Sequence, residues 1–208
     1  NADTAMYQAK ICGRDNFQFF TPVMNHLISE RMKTEQALRL AIKRKEFVLH
    51  YQPVITFDSG KIIGAEALIR WQHPEKGLVY PDSFIDVAED AGLIETIGQW
   101  VIEQACADLK LWQKLGLSLQ VAVNVSSRQC KQSCRTPIAE IISQALLVNQ
   151  IKPESLKVEI TESLLMDSSK EMIATLQSIR ALGVPIHMDD FGTGYSSLSY
   201  LKHFPIDA

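Results

Sequence analysis

Carboxylates and amides recur near the C-terminal ends of consecutive strand-like segments: Glu66, Asn124, Glu159, then the adjacent pair Asp189 and Asp190. Oxygen donors with no sulfur and no obligatory imidazole suit a hard cation such as magnesium, manganese or calcium, and suit zinc less. Asp190 follows Asp189 where a strand ends and the chain turns, so both carboxylates are expected at one pocket. Two-metal hydrolases use such a shared pair to clamp attacking and leaving oxygens. Each residue also has a simpler reading: Glu66 paired with Arg70 or Lys157, Asn124 as a strand-end turn residue, Glu159 paired with Lys157. Taken together, acids and an amide at four strand ends would leave several charges uncompensated, which a bound cation explains.

Other residues fit around such a site. The segment Phe191-Gly192-Thr193-Gly194-Tyr195-Ser196-Ser197 reads as a glycine-hinged loop able to couple metal occupancy to substrate, or as a plain turn capping a helix over 198–204. Glu162, three residues beyond Glu159, is placed to hold that loop, or to cap the next helix. Arg70, with Gln52 on the neighbouring strand, is a candidate for phosphate and base recognition, since a guanidinium binds phosphodiesters as a fork and glutamine reads purine edges. His73 reads as a loop histidine and His187 as an interior polar residue. Neither has a serine or cysteine placed for nucleophilic attack, and no phosphate-binding or dinucleotide glycine fingerprint occurs.

The elements that must position these residues follow from periodicity. Strands are expected over 47–55, 61–69, 119–125, 155–161 and 184–189, and helices over 93–115, 137–148 and 169–182. A five-residue link makes the first two strands an antiparallel hairpin, while the helices between later strands imply parallel pairing. Along each strand one side is apolar and the other carries polar groups. In 61–70, Gly64, Glu66, Leu68 and Arg70 oppose Ile63, Ala65, Ala67 and Ile69. A doubly wound sheet needs two apolar faces, so a barrel with chemistry at the C-terminal mouth of its strands is expected. Upstream, a helix runs from Thr21 and Pro22 to about residue 46, with Met24, Leu27, Ile28, Met32, Ala37, Leu38, Leu40 and Ala41 on its buried side. Residues 2–10 and 16–20 read as a short helix and an edge strand, the tail of a preceding domain.

Composition bounds the rest. The 208 residues are 46% hydrophobic with net charge −3 and interspersed signs, enough for one large core and unlike a binder of long nucleic acid. No apolar run of about 18 residues and no leader pattern occur, so a cytoplasmic segment without membrane contact is expected. Cys12, Cys106, Cys130 and Cys134 lack metal-finger spacing and read as free thiols, with a zinc site at Cys130 and Cys134 a poor fit.

The strings Tyr51-Gln52-Pro53, Glu66-Ala67-Leu68-Ile69-Arg70-Trp71, Val123-Asn124-Val125-Ser126, Glu159-Ile160-Thr161-Glu162-Ser163 and Asp189 through Ser197 closely resemble the EAL domain of bacterial cyclic di-GMP phosphodiesterases. The resemblance runs from about Glu35 to the last residue. The first twenty residues resemble the end of a GGDEF domain, so residues 1–20 are assigned to its remnant, 21–46 to a connecting helix and 47–208 to the barrel domain. The resemblance implies an α/β, TIM-like (β/α)8 barrel with one antiparallel strand, about five of its eight strands lying in this chain. It further implies hydrolysis of cyclic di-GMP to linear pGpG with magnesium or manganese. Glu66, Asn124, Glu159 and Asp189 would hold a first metal and Asp190 a second, Glu162 would brace the loop, and Gln52 with Arg70 would hold substrate. In the family a catalytic lysine and a general-base glutamate lie on strands beyond the position of residue 208. The chain alone is therefore expected to be inactive or completed by a partner, with an unpaired edge on its last strand. The alternative is a module that binds cyclic di-GMP or a protein without cleavage. A homodimer through the barrel is the expected assembly.

Overall fold

The computed structural model describes residues 22–131, 134–161, 170–189 and 204–207. The expectations for residues 2–20, for the N-cap at Thr21 and for most of a helix over 198–204 lie outside them.

In chain order the elements are α1 (Pro22–Arg44), β1 (Phe47–Ile55), β2 (Ile62–His73), β3 (Gly77–Val79), α2 (Ile85–Asp90), α3 (Ile94–Lys114), β4 (Gln120–Asn124), α4 (Ile138–Asn149), β5 (Leu156–Thr161), α5 (Lys170–Ala181) and β6 (Ile186–Asp189). Single 3₁₀ turns precede α2, follow β4 and precede β5. Among the described residues the sheet has six strands, in the order β1-β2-β4-β5-β6 with β3 paired to β2. β1 runs antiparallel to β2, whereas β2, β4, β5 and β6 are mutually parallel. Helices return the chain between the parallel strands, as parallel pairing requires.

Alternation along the strands decides which face does what. Val121, Val123, Leu156, Val158, Ile160 and Ile186 are fully buried. They form one core with the inner sides of α3, α4 and α5. On α3 the buried positions are Ile94, Ile97, Gly98, Val101, Ile102, Ala105, Cys106 and Leu109, the three-and-four spacing of a helix stripe. That helix stops at Gly116, whose positive φ of +80° suits glycine. There the amides of Gly116 and Leu117 donate to the carbonyls of Gln113 and Trp112, a Schellman closure that aims the chain into β4. The opposite face of the sheet keeps the polar residues.

Three expectations are corrected. β2 extends to His73 and folds back as β3, pairing Trp71 with Val79. A three-residue strand is too short to show a period. On α1 only Leu38 and Ala41 are buried, while Leu27, Met32 and Leu40 are 52%, 58% and 46% exposed. A 23-residue helix is about 34 Å long, and only Leu38 and Ala41, near its C-terminal end, are buried in the core. Its N-terminal half meets α2 through Arg31, which donates to the Asp86 carbonyl and pairs with Asp90. Finally, the outer edge of β6 is not bare at its start. The Asp207 amide donates to the Ile186 carbonyl at 2.8 Å, and the Ile186 amide donates to Asp207 Oδ2 at 3.0 Å. Arg180 holds that carboxylate at 3.0 Å and Phe204 is buried in the core. Among the described residues no helix is long and apolar enough to cross a membrane.

Candidate metal centre

Register brings the acids together. Glu66 on β2 faces Ala122 on β4, Asn124 faces Glu159 on β5, and Thr161 faces Asp189 on β6. Partners in a parallel ladder point to the same side, so Glu66, Asn124, Glu159 and Asp189 share the polar face. Asn124 and Asp189 end their strands, whereas Glu66, expected near a strand end, lies well inside β2, which runs on to His73. One carboxylate oxygen each from Glu66, Glu159 and Asp189 lies within 4.8 Å of the other two. Asn124 Nδ2 donates to Glu66 Oε1 at 2.7 Å. Asp190, Glu162 and the loop 191–197 lie outside the described residues.

Carboxylates this close repel one another unless a proton or a positive group intervenes. Burial pushes the Glu66 carboxyl above its ordinary range. The Asn124 hydrogen bond opposes that rise, Glu159 and Asp189 add to it, and Lys157 offsets part of it. Lys157 Nζ sits 2.8 Å from Glu159 Oε1, each side chain only 14% exposed. His187, facing Glu159 on β6, is held below its ordinary range by burial first and then by Lys157. The donor chemistry fits a hard divalent cation: three convergent carboxylates, with an amide hydrogen and an ammonium already drawn to them. To ligate through Oδ1, Asn124 would turn its amide over, which needs no backbone movement.

Residues 35–208 match the family described as EAL domain. The chain belongs to the EAL domain family. Over 206 residues it is 42% identical to the bifunctional diguanylate cyclase/cyclic di-GMP phosphodiesterase MucR of Pseudomonas aeruginosa, covering 99% of this chain and 30% of that protein. Over 209 residues it is 44% identical to the cyclic di-GMP phosphodiesterase PdeR of Escherichia coli K12, covering 100% of this chain and 31% of that protein. The chain thus spans under a third of the length of these curated relatives. A solved structure of the PaMucR phosphodiesterase in complex with c-di-GMP superposes with a TM-score of 0.78 at 41% identity, covering 84% of this chain and 70% of that one. The α/β sheet described above is accordingly part of a TIM-like barrel.

In this EAL domain Gln52 lies exposed on β1 directly opposite Glu66. Arg70 shares that face of β2, four residues or roughly 13 Å farther along the strand. It turns to Tyr80, its guanidinium carbon 4.8 Å from the ring centroid, and Nη1 donates to the Ile69 carbonyl at 2.8 Å. Arg70 Nε is buried with no hydrogen-bond partner among the described residues. Tyr80 escaped the sequence reading because it lies past the turn after β2, where no period marks it. From the sequence, Lys157 is expected only as an ion-pair partner of Glu66 or Glu159, an alternative to a cation. In the structure the pair lies against the acid cluster. His73 closes the turn after β2, its Nδ1 accepting the amides of Glu75 and Lys76 at 3.1 and 3.2 Å. Cys130 is buried, and Cys134 Sγ donates to the Arg128 carbonyl at 3.0 Å.

Proposed function

We propose that the chain supplies the cation-binding and substrate-binding part of an enzyme that hydrolyses cyclic di-GMP to linear pGpG with magnesium or manganese. The observation that carries this reading is the convergence of Glu66, Glu159 and Asp189 on one face of three parallel strands. The phosphodiesterase relatives support it. In this reading Glu66, Asn124, Glu159 and Asp189 hold one divalent cation, Asp190 serves a second, and Glu162 braces the loop at 191–197. A divalent cation held by these residues would supply Lewis acidity, lowering the pKa of a water and offsetting charge on the phosphoryl oxygens.

The chain's own residues do the rest. Gln52, beside Glu66, contacts the dinucleotide near the cut bond, while Arg70 receives a phosphate farther along β2 on guanidinium hydrogens turned away from Tyr80. Residues 1–20 are read as the end of a GGDEF domain and 21–46 as the helix joining it to the barrel. The alignment of nearly all of this chain to part of a bifunctional diguanylate cyclase and phosphodiesterase supports that division.

The test is hydrolysis of cyclic di-GMP by the protein that carries this chain, followed by chromatography of pGpG with manganese present. Glu66→Ala is expected to abolish turnover. Undiminished hydrolysis by that variant refutes the proposal, and saturable binding with no cleavage by the parent protein replaces it with a binding module.

A further inference from the structure

We propose that Lys157 is an internal counter-cation that weakens, and so sets, the hold of the carboxylate cluster on its divalent ion. The inference rests on the reading above that this cluster binds such an ion.

Leu156 and Val158 on either side of Lys157 are fully buried against the helices, so alternation sends the lysine to the polar face with Glu159. Its ammonium lies 2.8 Å from Glu159 Oε1, and both side chains are 14% exposed, which sets the pair apart from freely solvated surface pairs. The register places Lys157 opposite Ala122, and Ala122 opposite Glu66. Lys157, Ala122 and Glu66 thus stand side by side on one face of three neighbouring strands, with only the small alanine between the lysine and the glutamate in the ladder. One ammonium therefore partly neutralises the three gathered acids.

A divalent ion entering among Glu66, Glu159 and Asp189 must share Glu159 with that ammonium or displace it. Either way it meets a like charge. At a separation of roughly 6 Å, even the screening of bulk water leaves a repulsion worth about a tenfold loss in affinity, and a partly buried site screens less. The lysine thereby keeps the acids from repelling one another before the ion arrives, and keeps the ion exchangeable afterwards. It is a positioning residue, acting through Glu159.

The experiment is calorimetric titration of the protein with manganese chloride, repeated for Lys157→Gln, Lys157→Met and Lys157→Arg, with Glu66→Ala identifying the site. Both uncharged variants are expected to bind manganese about tenfold tighter or more. Lys157→Arg, which keeps the charge, stays within about threefold of the parent. In thermal melts the uncharged variants lose stability without the ion and gain more from it than the parent does. Unchanged or weaker binding by the folded uncharged variants overturns the proposal while leaving the metal reading intact. A parent protein that binds no manganese, or binds it equally after Glu66→Ala, overturns both.

Discussion

Gly64 carries more of this site than its lack of a side chain suggests. It pairs with Gln120 at the start of the β2–β4 ladder, two residue pairs before Glu66 meets Ala122. A Cβ added at Gly64 would stand 2.5 Å from the Gln120 carbonyl oxygen and 3.4 Å from its carbon. The obstructing atom is backbone, so no rotamer change relieves it, and the two strands must separate by close to an ångström to restore ordinary contact. Overpacking of this kind costs about 1–3 kcal/mol. For a chain of this size that is a fall in melting temperature of roughly 2–12 °C. The same displacement moves Glu66 away from Asn124, so Gly64→Ala is expected to weaken manganese binding as well as stability. Thermal melts by circular dichroism, with and without manganese, and calorimetric titration measure both effects. A variant with the parent's melting temperature and the parent's cation affinity refutes the argument that close approach of β2 and β4 builds the site.

Two further outcomes follow from the structure. Tyr51 donates to Asp108 Oδ2 at 2.6 Å, burial and then Asp108 push its phenol well above the ordinary range, and its ring meets Trp112 edge-on. Tyr51→Phe is expected to cost about 1–2 kcal/mol in urea unfolding, since the hydrogen bond reaches a charged acceptor that keeps Gln104 as its other partner. An unchanged unfolding midpoint contradicts this. Burial pushes the Cys106 and Cys130 thiols up to about 12, while Cys134 is raised less and lies partly exposed. Of these three, Cys134 is expected to react first with a thiol reagent near pH 8, with the other two protected until unfolding. Peptide mapping that finds Cys106 or Cys130 labelled first contradicts the burial.

The strand and helix order was legible in the sequence wherever burial imposes a period. β4 and β5 alternate because one face meets helices and the other the barrel interior, and α3 repeats its apolar residues over more than five turns and ends at a glycine. What escaped lacked that constraint. β3 is three residues long, α2 is six, and the exposed apolar residues of α1 repeat as if buried although nothing described covers them. In the site, Glu66, Glu159 and Asp189 could be read from strand alternation, because a sheet fixes Cβ direction, although β2 runs seven residues beyond Glu66. The Lys157 pairing was visible only as an alternative to the metal reading, and Tyr80 under Arg70 not at all, because side-chain contacts across a turn leave no spacing in the sequence. The Asp207 closure on β6 joins positions 21 residues apart through one carboxylate, and no pattern announces it.

The most direct measurement of the central claim is anomalous diffraction from crystals of the protein soaked in manganese chloride. The account expects a peak between Glu66, Glu159 and Asp189 at the oxygen distances of a hard cation, about 2.0–2.6 Å, with the Asn124 amide turned to present Oδ1. Density that leaves the three carboxylates without an ion at saturating manganese, or that places the ion on other residues, contradicts it.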